Sequence, residues 1–365
     1  MTTQTLETSK TQTPEKKVLA KAAVIREFGG PDVFRIEDVE VPERRPGHVL
    51  VKVLAAGINR LDHYIREGGI VPTLPFPHIL GIDAVGEVEA LGDDVTKFSP
   101  GERVIVVPGY AQKKEETEVR PTIGASSFAL PGLHIAGTYT SYMEVPEHGL
   151  IKDDTGFSPE EAATLPVVLS TSVHAVHGIG QVTEGDRVLV RSGASGSGSM
   201  LIQVAKALGA SVIATVRGDA KAEFVRQSGA DLVIDSTRED WVEQVKEWTG
   251  GKGVDVVIDN LGGDEMAKSI DAVKAGGVVV AYGFSAGPEV RFDIRNLFFT
   301  QKQIRGTMAS DIEDLTFGLE LVRQGKIRPL LDRVFPLLEA AKAHRLLADN
   351  KVRGNLVLLP WSLAN

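Results

Sequence analysis

The stretch RVLVRSGASGSGSMLIQVAKALGA, residues 187–210, decides the fold of this chain. An apolar, strand-like run over 187–191 leads through a glycine-rich turn directly into an amphipathic helix. The turn consists of Gly193, Ala194, Ser195, Gly196, Ser197 and Gly198, with the spacing G-x-S-x-x-G. Glycines in such a turn let the backbone approach a pyrophosphate, and the helix N-terminus adds free N–H groups and a positive dipole. The flanking strand and helix therefore predict a dinucleotide-binding site rather than a flexible linker.

The chain around this turn alternates strand-like and helix-like segments from residue 186 to residue 306. Near-continuous apolar strands that alternate with helices indicate a parallel sheet covered on both faces, the doubly wound α/β pattern. Ligands of such sheets bind at the carboxyl ends of the strands, so two further strand ends are predicted to complete the pocket. These ends are Asn260-Leu261-Gly262 and Gly283-Phe284-Ser285. For the glycines alone, a tight turn that merely needs glycine is the alternative.

The end of the next strand bears on which nicotinamide cofactor is bound. A site that prefers NAD places an acidic residue there, about 20 residues after the glycines, to bind the ribose 2′-hydroxyl. Here the strand ends in Thr215, Val216 and Arg217, and Lys221 follows one helical turn later. Guanidinium and ammonium groups suit a 2′-phosphate, so the sequence predicts NADPH (NADP). Two alternatives stay open, because Asp219 is an acid near the strand end unless it caps the helix, and the two cations could form a solvated helix start.

Composition limits the function classes. The 365 residues carry a net charge of −9, which gives a nucleic-acid-binding role no electrostatic support. The absence of cysteine excludes a disulfide framework, a thiolate zinc site and a cysteine nucleophile. No apolar run approaches the length that spans a bilayer, and the polar N-terminus, with Glu7 and Glu15, matches neither a signal peptide nor a transit peptide. We expect a disordered leader over residues 1–20, no membrane partner and a cytoplasmic protein.

The chain ahead of the doubly wound segment has a different pattern. Residues 21–58 and 84–108 form short β-branched runs punctuated by glycine and proline, which is typical of antiparallel strands. Residues 109–135 mix charges, proline and glycine, and a structureless segment of this length usually indicates a lobe, a lid or disorder. The sequence therefore predicts a β-rich module that precedes the parallel sheet.

Four motifs together resemble the medium-chain dehydrogenase/reductase family, and within it the quinone oxidoreductase (zeta-crystallin-like) branch. They are AAGINRLDHYIREGG (55–69), PHILGIDAVGEVEALGDDVTKFSPGERV (77–104), the glycine-rich turn with IQVAKALGA (202–210), and GKIRPLLDRVFPLLEAAKAHRLL (325–347). The resemblance covers residues 20–360. It implies a discontinuous GroES-like substrate domain, residues 21–160 plus 311–365, into which a Rossmann dinucleotide-binding domain, residues 161–310, is inserted. It also implies a homodimer joined along the cofactor-domain sheet edge near VVVAYG (278–283).

Zinc-dependent members of this family hold a catalytic metal with an early cysteine, a His-Glu pair and a later cysteine or aspartate. The matching positions read Asn59, then Ile82-Asp83, then LPVVLST (165–171), which offers no ligand. Zinc needs about four ligands in tetrahedral geometry, so the sequence predicts an enzyme without zinc or another metal site. His174 and His177 lie three residues apart, but no third ligand accompanies them, and we expect them to pack at the domain boundary.

Without zinc, the resemblance places Asn59 and Tyr64 beside the nicotinamide and the substrate. It implies that Asn59 hydrogen-bonds the substrate carbonyl or the cofactor, and that Tyr64 donates a proton or lines an aromatic slot. A plain core aromatic is the alternative for Tyr64. Thr171 matches a residue that contacts the nicotinamide end of the cofactor. Asn355 stands where many relatives have a lysine near the cofactor, and Ser236 where some have a tyrosine against the 2′-phosphate.

These observations favour an NADPH-dependent oxidoreductase that transfers hydride to a quinone or an α,β-unsaturated carbonyl without zinc. Both classes of acceptor take hydride readily, so positioning, exclusion of water and a few polar contacts suffice for catalysis. Two alternatives stay open. One is a non-catalytic NADPH-binding sensor or structural protein, and the other is a medium-chain alcohol dehydrogenase that acts without zinc.

Overall fold

The structure is a computed structural model that describes residues 18–362, apart from the side chain of Asp219. The strands are β1 (Leu19–Ile25), β2 (Arg35–Glu40), β3 (His48–Ile58), β4 (His78–Ile79), β5 (Asp83–Leu91), β6 (Arg103–Val106), β7 (Tyr110–Ala111), β8 (Phe128–Ala129), β9 (Tyr142–Pro146), β10 (Leu150–Lys152), β11 (Arg187–Val190), β12 (Ser211–Val216), β13 (Leu232–Asp235), β14 (Val254–Asp259), β15 (Val273–Ala281), β16 (Gln303–Gly306), β17 (Leu331–Pro336) and β18 (Asn355–Leu359). The helices are α1 (Arg60–Arg66), α2 (Pro159–Ala162), α3 (Pro166–Val173), α4 (Gly196–Ala207), α5 (Ala222–Gln227), α6 (Trp241–Trp248), α7 (Gly263–Ala272), α8 (Ile294–Phe298), α9 (Ile312–Arg323) and α10 (Ala340–Ala348). Within residues 18–362, none of these helices has the length and apolarity that crossing a bilayer requires.

The predicted disordered leader falls largely on residues that the structure does not describe. Residues 1–17 of that prediction lie outside the described residues. Its last two residues, Leu19 and Ala20, already belong to β1, so the ordered fold begins earlier than the predicted boundary. The reason is that β1 pairs with β2 from Leu19 onward, opposite Glu40, and this pairing cannot be recognised from a local pattern.

Six parallel strands form the doubly wound sheet, in the order β13-β12-β11-β14-β15-β16. Its central strands are apolar on both faces because helices cover both, and Val188, Leu189 and Val190 of β11 are all fully buried. The order runs outward from β11 in both directions, so the strand order reverses between β11 and β14. The carboxyl ends of these two strands border the crevice in which such sheets bind ligands. The predicted Rossmann architecture is confirmed.

The second large sheet is mainly antiparallel and draws strands from both ends of the chain. Its order is β10-β6-β5-β3-β18-β17, and β9 also pairs with β3. The C-terminal strand β18 lies antiparallel to β3, with Val357 opposite Gly57. This pairing brings Asn355, at the start of β18, to the same side of the molecule as the end of β3. The predicted β-rich module is confirmed as a fold, and the limits assigned to the two domains stay a prediction.

Residues 109–135, whose sequence looks structureless, form an ordered lobe. Strands β7 and β8 pair within it. The guanidinium of Arg120 forms two hydrogen bonds with the carboxylate of Glu313, of 3.0 and 2.5 Å, and the backbone N–H of Thr122 donates to Asp311 Oδ1 at 2.6 Å. These contacts fasten the lobe to the N-terminus of α9, almost 200 residues away in the chain, which is why no local pattern predicted its order.

Candidate active site

The glycine-rich turn connects β11 to α4 at the crevice of the doubly wound sheet. Ser195 caps α4, because its Oγ accepts the backbone N–H of Gly198 at 2.9 Å and donates to Ser192 O at 2.9 Å. Ser192 has a positive φ of 55°, which completes the tight reversal after the strand. The serine that replaces the usual middle glycine is therefore the helix cap.

Glycine is required at two positions of this turn. A Cβ on Gly196 would overlap Oδ1 of Asn355, and a Cβ on Gly198 would overlap the carbonyl oxygen of Ser192. The backbone N–H groups of Gly196 and Ser197 begin α4 and have no acceptor among the described residues. The turn thus presents two free donors at a helix N-terminus, the arrangement that binds phosphate groups.

Asn355 is the predicted site residue most distant in sequence from the turn. The structure places it against Gly196, and a β-bridge joins Ser195 to the neighbouring Gly354. The Ser197 hydroxyl lies 3.2 Å from the Tyr282 hydroxyl, and Ala194 is buried. All six residues of the turn and Asn355 therefore lie at one place, and their role in cofactor binding stays a prediction.

Arg191, which precedes the glycine-rich turn, is a fully buried arginine. The guanidinium of Arg191 donates to Ser269 Oγ at 2.7 Å and to Glu265 Oε2 at 2.7 Å, and it stacks 4.2 Å from the ring centroid of Trp241. Its Nε lies 3.3 Å from Oγ1 of Thr215 in β12. Because these partners belong to neighbouring strands and helices, this arginine ties together the elements whose ends form the crevice.

The end of β14 forms the next wall of the crevice. Asp259 Oδ1 accepts the backbone N–H of Leu261 at 2.8 Å and that of Gly262 at 3.0 Å. The Asn260 side chain leaves Oδ1 buried without a hydrogen-bond partner among the described residues. A buried acceptor of this kind costs free energy unless a ligand satisfies it.

The end of β15 lies against the same wall. A Cβ on Gly283 would come within 2.8 Å of Asn260 O, and Ser285 Oγ donates to Asn260 O at 3.1 Å. Phe284 projects outward and is 42% exposed. The two predicted strand ends are thus adjacent in the structure. Because a side chain on Gly283 would collide with the backbone of Asn260, close packing of the two strand ends explains the glycine at this position.

The two cations predicted to recognise the 2′-phosphate have different surroundings. Arg217 follows β12 and is exposed, without a hydrogen bond or ion pair to any described side chain. Lys221 is half-buried, and its Nζ donates to the backbone carbonyls of Asn350 at 2.9 Å and Val352 at 3.0 Å. Burial and the cations Arg353 and Arg60 lower the pKa of Lys221. Lys221 therefore has one ammonium hydrogen left for an anion.

Asn59 is held through both its main chain and its side chain. It is the residue before α1, and its backbone N–H donates to Asp62 Oδ2 at 2.8 Å. Its Nδ2 donates to Asp83 Oδ2 at 2.8 Å. Asp62 and Asp83 are 0% and 2% exposed, so Asn59 is fixed by two buried carboxyl groups.

Burial is the largest influence on the pKa of the Asp62 and Asp83 carboxyl groups. It raises the pKa of Asp62 and that of Asp83 from the ordinary 3.8 to about 7 in each case. Asp62 Oδ2 also accepts the Tyr139 hydroxyl at 2.9 Å, and the Tyr139 oxygen lies 3.3 Å from Nε2 of His344. A chain of buried polar contacts therefore runs from α10 to Asn59.

Tyr64, in α1, contacts a residue that follows β15 of the doubly wound sheet. Its ring stacks on that of Phe284, with centroids 5.5 Å apart and planes inclined by 24°. Burial raises the pKa of the Tyr64 phenol, so the hydroxyl stays protonated at neutral pH. The structure thus brings a residue of α1 against the strand end at β15, and the half-buried ring is not enclosed in the core as the alternative interpretation requires.

Thr171 lies in α3, a helix that packs against α4 and α9. Its hydroxyl has no hydrogen-bond partner among the described residues. The helix is anchored to Asp83, whose Oδ1 accepts the backbone N–H of Val167 at 2.8 Å. The turn that follows α3 is a π-helix, His174–Ile179, and such turns are frequent at functional sites.

The histidines of this π-helix have separate partners. His174 Nδ1 lies 2.9 Å from Asp314 Oδ2, which raises the pKa of His174. The ring of His177 stacks on Phe317 with centroids 5.1 Å apart. Across residues 18–362, no group of three or more His, Cys, Asp or Glu side chains is arranged to hold a metal ion.

Sequence reasoning missed the roles of several residues. The spacing Asn59-x-x-Asp62 is a helix-capping pattern, and it could have predicted the hydrogen bond from the Asn59 backbone N–H to Asp62. Asp83, a carboxylate in the otherwise apolar GIDAVG, was a signal for a buried partner. No sequence signal marks the contacts of Arg60 and Arg353. The residues that they contact, Asn350 and Ala220, are distant in the chain.

Comparison with known proteins agrees with this architecture. The family model of the alcohol dehydrogenase GroES-like domain matches residues 45–155, and that of the zinc-binding dehydrogenases matches residues 196–324. The chain is 34% identical to a 2-haloacrylate reductase of a Burkholderia species, with 94% of this chain and 99% of that protein covered. It is 31% identical to a quinone oxidoreductase of Pseudomonas aeruginosa, with 94% and 100% covered. The chain belongs to the medium-chain dehydrogenase/reductase family, in its quinone oxidoreductase branch.

Solved structures of other medium-chain dehydrogenases/reductases have the same fold. An NAD-dependent alcohol dehydrogenase matches with a TM-score of 0.87 and 35% identity, covering 93% of this chain and 99% of that one. A crotonyl-CoA carboxylase/reductase, AntE, in complex with NADP matches with a TM-score of 0.84 and 27% identity, covering 95% of this chain and 97% of that one. The chain is therefore an oxidoreductase that acts on a small molecule with a nicotinamide cofactor.

The residues at the crevice fit a nicotinamide cofactor of this medium-chain dehydrogenase/reductase. The free N–H groups of Gly196 and Ser197 suit the pyrophosphate, and the unpartnered Asn260 Oδ1 suits a donor of the ribose or carboxamide. The two glycines whose Cβ positions are blocked keep the backbone open to close approach.

Proposed function

We propose that the protein is an NADPH-dependent reductase that transfers hydride to a quinone or an α,β-unsaturated carbonyl. The stacking of Tyr64 on Phe284 carries the proposal. The stack sets the protonated phenol of Tyr64 and an aromatic face at the carboxyl end of β15, beside the cofactor crevice. The buried Asn59 comes shortly before Tyr64 in the chain. A planar, electrophilic acceptor suits an aromatic slot of this kind.

Two residues, Asn59 and Tyr64, would act on the acceptor together with the cofactor. Reduced nicotinamide, when bound, supplies a hydride from C4. Asn59 keeps one Nδ2 hydrogen free for an acceptor carbonyl, since the other is donated to Asp83. Tyr64 is held protonated and is a candidate proton donor. Quinones and activated enones need little further electrophilic help, which fits a site whose polar groups orient rather than strongly polarise.

The names of the relatives support this choice of acceptors. One relative is a 2-haloacrylate reductase and the other a quinone oxidoreductase, each matched over nearly its whole length. The preference for NADPH is supported by Arg217, a cation that stands exposed at the end of β12. The neighbour bound to NADP is a further support, and the NAD-dependent neighbour is the reason to measure both cofactors.

A homodimer through the edge of the doubly wound sheet is also part of the proposal. The family resemblance implies an interface near VVVAYG, a segment that belongs largely to β15; β16 pairs with β15, so β16 is the strand at the edge of the sheet. The short strand Gln303–Gly306 has few apolar residues, and the interface along this edge stays a prediction. Large apolar side chains around β16 are exposed, and they are Ile294, Phe298, Phe299, Ile304 and Met308. Phe299→Ser should weaken the dimer in sedimentation experiments.

A single-turnover experiment tests the proposed activity. The protein loaded with one equivalent of NADPH is mixed with a quinone, with an α,β-enone or with a simple ketone as the matched control acceptor. We expect rapid loss of reduced nicotinamide with the quinone or the enone and none with the ketone. Bound NADPH that persists with all three acceptors would instead favour a sensor or a structural protein.

A further inference from the structure

Three fully buried polar side chains from separate parts of the chain meet at the start of α1. They are Asp62 in α1, Tyr139 in the segment before β9, and His344 in α10, and each is 0% exposed. Polar groups so far from solvent cost free energy unless they bond to one another. The proposed reaction gives no role to Tyr139 or His344, so the purpose of this buried group is open.

The hydrogen bonds within the group run in one direction. The Tyr139 hydroxyl donates its one hydrogen to Asp62 Oδ2 at 2.9 Å. The phenol oxygen can then only accept from His344 Nε2, 3.3 Å away, so that nitrogen carries the hydrogen of a neutral ring. Burial lowers the pKa of His344, which agrees with a neutral ring. Because Asp62 Oδ2 also accepts the backbone N–H of Asn59 at 2.8 Å, the path ends at Asn59.

The position of the Tyr139 hydroxyl is set by surroundings that lie outside α1. The backbone N–H of Tyr139 donates to Leu80 O at 3.0 Å, and its carbonyl oxygen accepts the N–H of Ala23 at 2.9 Å. A Cβ on Gly81, where φ is 101°, would come within 2.4 Å of the tyrosine ring. The ring of His344 lies edge-on to it, with centroids 5.8 Å apart. The hydroxyl is therefore a fixed point to which α1 can be referred.

The carboxyl group of Asp62 depends on this fixed point. Its Oδ2 accepts both the Tyr139 hydroxyl and the Asn59 backbone N–H, whereas its Oδ1 has no hydrogen-bond partner among the described residues. Tyr139 thus supplies the side-chain hydrogen bond that sets the rotation of this carboxyl group. Without that bond the group could rotate, and the N–H of Asn59 would lose an acceptor of fixed position.

We propose that Tyr139 and His344 are positioning residues of the reaction. They act through Asp62 on Asn59, the residue that would contact the acceptor carbonyl. This inference rests on the proposed function. Asp83 fixes the side chain of Asn59 and Asp62 fixes its backbone, and the two contacts together direct the remaining amide hydrogen toward the acceptor.

Tyr139→Phe removes the hydroxyl and keeps the ring. We expect kcat/KM for an α,β-enone to fall about tenfold and the affinity for NADPH to stay within about twofold. Tyr110→Phe is the matched control, because Tyr110 is also buried and its ring lies edge-on to that of His148, with centroids 6.4 Å apart. The control should leave kcat/KM unchanged. Melting temperatures of both variants separate a loss of stability from a loss of positioning.

Two substitutions of His344 test the other end of the path. His344→Gln keeps an N–H donor close to the place of Nε2, whereas His344→Leu removes it. We expect the glutamine variant to keep most of kcat/KM and the leucine variant to lose about as much as Tyr139→Phe. Equal losses in the two variants would overturn the role of the hydrogen bond from His344.

A double substitution tests whether Tyr139 acts through Asn59. In an Asn59→Ala background the side chain to be positioned is gone, so Tyr139→Phe should cause no further loss of kcat/KM. A further tenfold loss in that background would overturn the proposed path.

Hydrogen exchange of the Asn59 backbone amide tests the contact without turnover. We expect Tyr139→Phe to speed this exchange about tenfold or more and Tyr110→Phe to leave it unchanged. If the unaltered protein reduces an acceptor but Tyr139→Phe keeps both its kcat/KM and the slow exchange, the positioning role fails and the proposed function stands. If the unaltered protein reduces neither a quinone nor an enone, the proposed function fails and the positioning role with it.

Discussion

The side chain of Asn59 donates from Nδ2 to Oδ2 of Asp83 at 2.8 Å, and both residues are almost entirely buried. The other oxygen of Asp83 accepts the backbone N–H of Val167, at the start of the helix that carries Thr171. A single carboxyl group therefore fixes two elements that border the candidate site. In zinc-dependent relatives the position that matches Asp83 belongs to a pair of metal ligands. Here Asp83 instead fixes the side-chain carboxamide of Asn59.

Asp83→Asn tests this positioning role. An asparagine cannot accept both hydrogen bonds in the same geometry, so either Asn59 or the Val167 N–H loses its partner. We expect kcat to fall about tenfold with a smaller change in KM, and the free energy of unfolding to fall by about 1–3 kcal/mol. Asp153→Asn is the control, because Asp153 is also buried but pairs with Arg103 at 2.7 Å, away from Asn59. It should lower stability alone, and a similar loss of kcat there would contradict the positioning role.

The pH dependence of stability tests the buried acids. Folding raises the pKa of Asp62 from 3.8 to about 7, so the folded protein binds a proton that the unfolded chain has lost between these values. The free energy of unfolding therefore falls as pH rises through this window and stays lower above it. Asp62→Asn removes the titration and keeps an acceptor for Tyr139, so its Tm relative to the unaltered protein should rise between about pH 5 and about pH 8.

Asp38→Asn serves as the control for this experiment, since the Asp38 carboxylate is half-exposed and pairs with Lys21 at the surface. Its Tm should follow that of the unaltered protein. Parallel Tm curves for Asp62→Asn and the unaltered protein would show that Asp62 does not take up a proton on folding.

Two substitutions of Tyr64 separate its hydroxyl from its ring. Tyr64→Phe keeps the stacking on Phe284 and removes the proton donor, so kcat for an enone should fall while KM changes little. Tyr64→Ala removes the ring as well, and we expect KM for aromatic quinones to rise in addition. Tyr142→Phe, which alters a tyrosine packed edge-on against Trp361, should change neither constant. Full activity of Tyr64→Ala would return this residue to a structural role.

Gly196→Ala tests the close approach at the turn. The added Cβ would overlap Oδ1 of Asn355, and the displaced turn would move the free N–H groups that suit the pyrophosphate. We expect cofactor affinity to fall more than tenfold, measured by fluorescence of the bound reduced nicotinamide. Gly30→Ala is the control, because no atom lies within 4 Å of a Cβ at that position. Equal binding by the two variants would mean that this turn does not hold the cofactor.

Features with a local signal were predictable from the sequence. The strand-turn-helix over 187–210 and the alternation after it predicted the parallel sheet, and both are present. The resemblance placed Asn355 near the cofactor, and the structure sets it against Gly196. Helix α7 ends at Ala272, because Val273 already begins β15 beside β14.

Features that depend on distant partners were not predictable. The lobe at 109–135 is ordered by contacts with α9, and Lys221 is turned toward the carbonyls of Asn350 and Val352. The approach of Arg353 to Ala220 joins residues more than 130 positions apart. No periodicity or motif reports such pairs, because they follow from how the two sheets pack.

The ratio of kcat/KM for NADPH to that for NADH, with a quinone and an α,β-enone as acceptors, tests the central claim most directly. Loss of the reduced nicotinamide absorbance reports both the turnover and the cofactor preference. We predict turnover with at least one of the acceptors and a ratio of about ten or more, because the cations Arg217 and Lys221 follow the end of β12. Turnover that favours NADH, or tight cofactor binding with no turnover on either acceptor, would contradict this account.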